Sequence, residues 1–251
     1  MAIDSHMHVN SLVVDDKEKV IERINLNDEI EKVLNVGLDR ETSLESVGIA
    51  LSNHKFYSAI GVHPLYVKNQ NFEWMENLAS SEKVVAIGEI GLDYYNKDYD
   101  KQRMIFIRQI MLANELQLPV IIHANNTNYD IVEIFERYVK PKYGCVFHCF
   151  QPDVEILKYL IDNGYYISFA GRITYKNACK SLEIAKLVPN DLFLVETDSP
   201  YITPEPFRGE INKVEYLRYI IKKIAEIKEM TYKEVEDYST RNAKRLFKKM
   251  N

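Results

Sequence analysis

The histidines are the most informative residues of this chain, because imidazole serves both as a metal ligand and as an acid–base group. His6 and His8 are separated by one residue in an apolar run, and alternate residues of a strand point to the same face. Such a pair can bind one cation from one side. The motif alone is weak, since two buried histidines that are only hydrogen-bonded would show the same spacing.

Further ionisable residues at the ends of other apolar runs strengthen the metal interpretation. Glu89 follows Ile87-Gly88, His123 follows Val-Ile-Ile, His148 follows Val-Phe, and Asp198 follows Val-Glu-Thr. An ionisable group is rarely placed in an apolar run unless a partner satisfies it there, and one bound cation would satisfy the whole set. The sequence therefore predicts a divalent-metal site with the ligands His6, His8, Glu89, His123, His148 and Asp198.

The size of this ligand set bears on the number of ions. One four-coordinate ion with an open position needs fewer ligands, so we expect one or two ions. Two ions would lie roughly 3.5–4 Å apart and share a carboxylate. Glu89 lies between the first-strand pair and the two later histidines in strand order, which makes it the predicted bridge. Imidazole and carboxylate suit zinc, manganese, cobalt and, to a lesser degree, magnesium.

Alternating strand-like and helical segments must position these residues. The predicted strands are 2–9, 32–38, 56–62, 84–92, 119–124, 144–150, 165–171 and 192–199; the predicted helices are 17–25, 41–52, 72–79, 100–116, 129–139, 153–163, 180–187, 214–229 and 232–249. This alternation predicts an α/β fold, a (β/α)8 TIM barrel in a single domain over residues 1–251, with its active site at the carboxyl ends of the strands. An open doubly wound sheet is the main alternative, but it commonly has a glycine-rich loop where this chain has His-Met-His.

Composition and charge narrow the class of protein further. The chain is 46% hydrophobic and 27% charged, as is ordinary for a globular protein, and its net charge of −5 predicts a small, local footprint on any nucleic acid. No secretory leader and no uninterrupted apolar run of about 18 residues is present, so no membrane association is expected. The three cysteines argue against a disulfide framework, since Cys145 and Cys149 would lie roughly 13 Å apart along a strand, too far to bridge, and this predicts a reduced, cytoplasmic protein. No obligate protein partner is evident.

Several residues near the predicted strand ends are weaker candidates. His63, in Gly61-Val-His-Pro, is either a substrate contact or a loop histidine held by Pro64, whereas His54 lies in a polar stretch and is expected at the surface. Glu196 shares a strand face with Asp198 and is expected to support the site from one layer deeper.

Three cations and one cysteine complete the candidates. Lys176, Arg172 and Arg208 would steer phosphate groups, although such residues are more often solvated surface charges. Cys149 follows His148 and is expected to point the opposite way, towards the helices.

The chain resembles the TatD family of deoxyribonucleases, within the metal-dependent hydrolase superfamily. The resemblance is carried, in the family's order, by Asp4-Ser-His-Met-His, Gly61-Val-His-Pro, Gly88-Glu-Ile-Gly-Leu-Asp-Tyr-Tyr, Pro119-Val-Ile-Ile-His, Phe147-His-Cys-Phe, Ser168-Phe-Ala-Gly and Glu196-Thr-Asp-Ser-Pro-Tyr-Ile-Thr-Pro. It implies a barrel, one or two divalent cations on the same six ligands, and hydrolysis of phosphodiester bonds in DNA. The loops after His123 and Phe150 depart from the family pattern, which concerns substrate preference.

Three functions follow from this reading. The first is a deoxyribonuclease acting on single-stranded ends or short oligonucleotides, with Asp198 and Glu89 as catalytic carboxylates and Asp198 accepting the proton of the attacking water. The second is an amidohydrolase acting on a small ester, lactone or amide; some of these bridge their metals with a carboxylated lysine on the fourth strand, where this chain has Glu89. The third is a non-catalytic barrel, which predicts broken ligands, whereas all six are present.

Overall fold

Eight parallel strands form one sheet in sequence order in the computed structural model, which describes residues 1–12, 14–67 and 71–251. Each strand pairs in parallel with the next one along the chain. The strands are β1 (Ala2–Met7), β2 (Ile30–Val36), β3 (Phe56–Ile60), β4 (Val84–Asp93), β5 (Val120–Asn125), β6 (Cys145–Phe147), β7 (Tyr166–Phe169) and β8 (Phe193–Val195).

Backbone hydrogen bonds join the end of the sheet to its beginning. The amide of Asp198 donates to the carbonyl of His6 at 2.9 Å, and the amide of His8 donates to the carbonyl of Ser199 at 2.7 Å. The strands therefore form a nearly closed barrel, which confirms the predicted (β/α)8 fold. An open doubly wound sheet is excluded, because its strand order reverses at a switch point and this one does not.

Helices follow the strands as the periodicity predicts. α8 shows the reason for their placement, because it buries Leu217, Ile220 and Ile224, which are three and four residues apart on one face. No helix of the described ranges is long and apolar enough to cross a membrane. The α-helices are α1 (Val14–Leu26), α2 (Arg40–Ser52), α3 (Glu73–Ala79), α4 (Tyr99–Glu115), α5 (Asn128–Arg137), α6 (Val154–Asp162), α7 (Cys179–Leu187), α8 (Leu217–Lys228) and α9 (Tyr232–Leu246).

The C-terminal segment covers one end of the barrel. Leu246, Phe247 and Met250 are buried in a cluster with strand residues such as Ile3 and Leu34. The ammonium group of Lys249 donates to carbonyls just before β4 begins, which places this segment at the amino ends of the strands. The carboxyl ends therefore remain available for a functional site.

The strands that carry candidate ligands differ in length from the prediction. β6 ends at Phe147 and β8 ends at Val195, because the backbone turns into positive φ at Cys149 (43°) and Asp198 (56°). His148 and Asp198 consequently lie in loops directly after their strands. β4, in contrast, continues to Asp93, so Glu89 lies within the strand rather than at its end.

Candidate metal centre

The carboxylate of Glu89 is the centre of the site, and its two oxygens face different groups of histidines. Oε1 lies 2.6 Å from Nδ1 of His123, 2.9 Å from Nε2 of His148 and 3.4 Å from Nε2 of His63. Oε2 lies 3.4 Å from Nε2 of His6 and 3.5 Å from Nε2 of His8. Glu89 thus touches both histidine groups, as its place in the strand order predicts.

Asp198 lies on the side of the first-strand pair. Its Oδ1 is 3.5 Å from Nε2 of His8 and 3.9 Å from Nε2 of His6. The structure therefore brings all six predicted ligands into one cluster. Groups whose nitrogen and oxygen atoms lie within 4.8 Å of one another are His6–His8–Asp198, His6–Glu89–His148 and His63–Glu89–His123.

The hydrogen bond of the His8 ring shows that this cluster fits a cation. Nδ1 of His8 lies 2.9 Å from the carbonyl oxygen of Val36, which only accepts, so Nδ1 carries the proton. The neutral ring then has its lone pair on Nε2, directed at Asp198 and Glu89. A lone pair facing two buried carboxylates is unfavourable unless a cation lies between them, and this donor set suits a divalent ion.

His63 has the opposite tautomer. The backbone N–H of Leu65 donates to its Nδ1 at 3.1 Å, so the proton of the neutral ring is on Nε2. That N–H points towards Oε1 of Glu89 at 3.4 Å. In this tautomer His63 is a hydrogen-bond donor at the site and not a ligand, although its ring lies near possible ligand atoms.

Both central carboxylates are ionised. Burial alone would raise the pKa of Glu89, but the charge of His148 and the hydrogen bonds of His123 and His148 hold that pKa well below its usual range. Burial likewise opposes ionisation of Asp198; without a metal His8 also takes a proton on Nε2, and its hydrogen bond to Asp198 and the charge of His148 lower the pKa of Asp198. The carboxylate oxygens of Glu89 and Asp198 are therefore anionic and can bind a metal or accept a proton.

Two further carboxylates contact the outer edges of the candidate ligand histidines. Oδ2 of Asp93 lies 3.2 Å from Nε2 of His123, and this hydrogen bond, only partly opposed by burial, lowers the pKa of Asp93 to about 2. Oε1 of Glu196 lies 3.5 Å from Nδ1 of His148, the supporting position expected of Glu196. Sequence reasoning missed Asp93, yet its spacing of four from Glu89 on the same strand places both on one face.

A buried carboxylate that was not singled out fixes the loop carrying Asp198. Asp4 accepts hydrogen bonds from the amide of Thr197 at 2.9 Å and from its hydroxyl at 2.6 Å. The side-chain amide of Asn212 donates to the carbonyls of Thr197 and Tyr201, at 2.7 and 2.6 Å. These bonds hold the backbone on either side of Asp198.

The metal centre forms the floor of a cavity of about 290 Å³. Arg172 lies at its edge and is the one lysine or arginine that lines it among the residues described. Lys176 and Arg208 are exposed and do not line it; the guanidinium of Arg208 lies 4.4 Å from the centre of the Tyr175 ring. His54 is exposed, as expected.

The expectation for Cys149 was wrong. Cys149 lines the cavity instead of packing against helices. The strand β6 ends before Cys149, so the alternation of side chains along a strand no longer applies to it. All three cysteines are free, in agreement with the absence of a disulfide framework.

A nearly closed α/β barrel with histidines and carboxylates at the carboxyl ends of its strands defines the class of metal-dependent hydrolases. Within that class, a family model described as TatD related DNase matches residues 3–248, and the chain belongs to this family. The same match does not favour the alternative of an amidohydrolase acting on a small ester, lactone or amide.

Curated relatives and solved structures agree with this membership. The chain is 40% identical over 254 residues to a metal-dependent hydrolase, YabD, of Bacillus subtilis, covering 99% of each chain. It is 35% identical to the metal-dependent hydrolase YcfH of Escherichia coli K12, covering 98% of this chain and 95% of that one. The crystal structure of YjjV, a TatD homologue of E. coli, superposes with a TM-score of 0.88 at 27% identity over 98% of each chain. These relatives support a divalent metal in this protein.

Proposed function

We propose that this protein is a metal-dependent deoxyribonuclease that hydrolyses phosphodiester bonds in single-stranded DNA. The proposal rests chiefly on the cluster around Glu89, which lies at the floor of a cavity edged by Arg172, in a chain of a family described as DNases. Glu89 and Asp198 are only 3% and 6% exposed, so a phosphate must descend to reach them. A flexible single strand can do so more easily than a duplex, whose two stacked strands move as one rigid body.

One or two divalent cations would be held by this cluster. His6, His8 and Asp198 form one side, His123 and His148 form the other, and Glu89 lies between them. Zinc, manganese, cobalt and magnesium are the candidates. When bound, such a cation polarises the phosphoryl group and lowers the pKa of water.

The chain's own groups then act on the water and the substrate. Asp198, held ionised at the cavity floor, accepts the proton of the water that attacks phosphorus. The Nε2–H of His63 donates a hydrogen bond to a substrate oxygen, and Arg172 pairs with a phosphate. Lys176 and Arg208 lie farther out, and phosphate contact by them stays a prediction.

The substrate class is tested with metal-stripped protein reloaded with each of the four metals. Single-stranded DNA labelled at the 5′ or the 3′ end, a duplex of the same sequence, 4-nitrophenyl acetate and a simple lactone are assayed in parallel. We expect metal-dependent cleavage of DNA, fastest for the single strand. Label position then separates exonuclease from endonuclease action.

Two variants serve as controls for this assay. Asp198→Asn removes the proposed proton acceptor and should lower the rate by about 10²–10⁴-fold, which rules out a contaminating nuclease. Asp162→Asn changes an exposed aspartate at the end of α6 and should match the wild type. Hydrolysis of the ester or lactone without cleavage of DNA, with every metal, would show that the protein is an amidohydrolase instead.

A further inference from the structure

The walls of the cavity differ in chemistry from one side to the other. One side of the cavity is formed by the loops after β8, β2 and β3; these strands are neighbours in the barrel, with β1 between β8 and β2. The three loops contribute apolar and aromatic side chains: Leu38, Leu65, Tyr66, Tyr201 and Ile202. The ends of β4 and β5 and the loops after β6 and β7 contribute Asp93, Asn125, Gln151 and Arg172, with Ala124 and Cys149 between them. We call the first group the aromatic wall.

Two tyrosines of the aromatic wall flank the metal centre. The Tyr201 ring centre lies 6.0 Å from that of His8, and the Tyr66 ring centre lies 6.3 Å from that of His63. Their exposures are 49% and 43%, although each lies beside a buried site. Large apolar groups exposed together at a cavity generally mark a binding surface.

The backbones that carry these rings are fixed. The amide of Tyr201 donates to the carbonyl of Asp198 at 2.8 Å, and Asn212 holds its carbonyl from the other side. The amide of Tyr66 donates to the carbonyl of His63 at 2.8 Å. A ligand that stacks on these rings therefore orders little backbone when it binds, which favours affinity.

From this arrangement we infer that the aromatic wall binds the nucleobase of the nucleotide next to the scissile phosphate, an inference that rests on the proposed function. A nucleotide has an anionic phosphate and a flat aromatic base separated by one sugar. Its phosphate would lie over the metal centre and towards Arg172, and its base would stack on Tyr66 or Tyr201. Stacking accepts every base, because each has a π face, so the subsite gives affinity with little sequence preference.

The inference is tested by fluorescence of 2-aminopurine, a base analogue that is quenched when it stacks on an aromatic ring. Oligonucleotides with 2-aminopurine at the 5′ or the 3′ terminus are titrated into metal-loaded Asp198→Asn protein, which binds without rapid cleavage. We expect quenching on binding. The double substitution Tyr66→Leu/Tyr201→Leu should abolish the quenching and weaken binding by about 10-fold or more.

Matched variants separate stacking from a general loss of structure. Tyr66→Phe/Tyr201→Phe keeps both rings and should keep the quenching. Tyr138→Leu changes an exposed tyrosine directly after the C-terminal end of α5, and this variant should bind and quench like the Asp198→Asn protein that carries both tyrosines. In the otherwise wild-type enzyme, the leucine pair should reduce the preference in kcat/KM for a normal terminal nucleotide over a base-free analogue.

Different results would contradict the base subsite and the nuclease activity. Unchanged quenching and affinity in the leucine pair would overturn the aromatic wall as a base subsite and leave the nuclease assignment intact. Absence of any oligonucleotide binding by the Asp198→Asn protein, together with hydrolysis of small esters by the wild type, would overturn both.

Discussion

The carboxylates of Asp93 and Glu89 contact opposite edges of the His123 imidazole. Nδ1 of His123 lies 2.6 Å from Oε1 of Glu89, and Nε2 lies 3.2 Å from Oδ2 of Asp93. Asp93 also accepts a hydrogen bond from the side-chain amide of Asn125 at 3.1 Å. A carboxylate behind a histidine fixes the ring and strengthens it as a ligand. We therefore expect Asp93 to act as a positioning residue for His123 when that ring binds a metal.

The first prediction concerns the substitution Asp93→Asn, which keeps the size of the side chain and removes its charge. Loss of such an outer carboxylate typically weakens metal affinity by about 10–100-fold. Competition with a chromophoric chelator measures this affinity without reference to activity. The exposed Asp162→Asn is the control, and equal affinities of the two variants would contradict the role given to Asp93.

The second prediction concerns removal of the metal. Glu89 and Asp198 are buried anions, and a cation that binds only the folded state stabilises it by mass action. At a metal concentration of 100 times the dissociation constant, a chelator should lower the melting temperature by roughly 5–10 °C. Differential scanning calorimetry measures the change, and adding metal back should reverse it.

The variant Glu89→Gln provides the internal comparison. It removes the carboxylate shared by both histidine groups, so its melting temperature should respond little to the chelator. A chelator effect as large as in the wild type would show that the metal is bound elsewhere.

The strands and the ligand cluster could be predicted because their signal is local. Eight apolar runs alternate with helical periodicity, and the polar residues that end them stand out against their surroundings. The lengths of β6 and β8 could not be predicted, since Cys149 and Asp198 adopt positive φ without being glycine. That conformation depends on tertiary bonds, such as the one from the amide of Asp198 to the carbonyl of His6.

The residues that form the walls of the cavity could not be predicted from the sequence, for a different reason. Tyr66 and Tyr201 are 135 positions apart and lie in loops without a periodic pattern. Only closure of the barrel between β8 and β1 brings both residues to the lining of one cavity. Asp93, in contrast, lay within reach, because strand alternation from Glu89 predicts its direction once β4 is extended.

The third prediction separates His63 from the ligands. Its Nε2 carries the ring proton because Leu65 donates to Nδ1, so His63→Ala should leave the metal content unchanged. His123→Ala removes an imidazole that touches Glu89 and should lower the metal content or affinity. Elemental analysis of both proteins after dialysis against limiting metal measures the difference. Loss of metal from His63→Ala to the same extent would mean that His63 is a ligand.

The fourth prediction concerns Gly91, which lies on β4 between Glu89 and Asp93. Its φ is +151°, and a Cβ there would lie 1.9 Å from the carbonyl oxygen of His123. Gly91→Ala must therefore displace β5 where it carries a candidate ligand, and we expect a loss of more than about 2 kcal/mol in unfolding free energy.

Gly48 in α2 is the matched control, because a Cβ there meets nothing within 4 Å. Gly48→Ala should stabilise the protein by roughly 0.5–1 kcal/mol, since alanine loses less backbone entropy in a helix. Chemical denaturation measures both changes, and a neutral Gly91→Ala would show that β4 and β5 can separate at the site without cost.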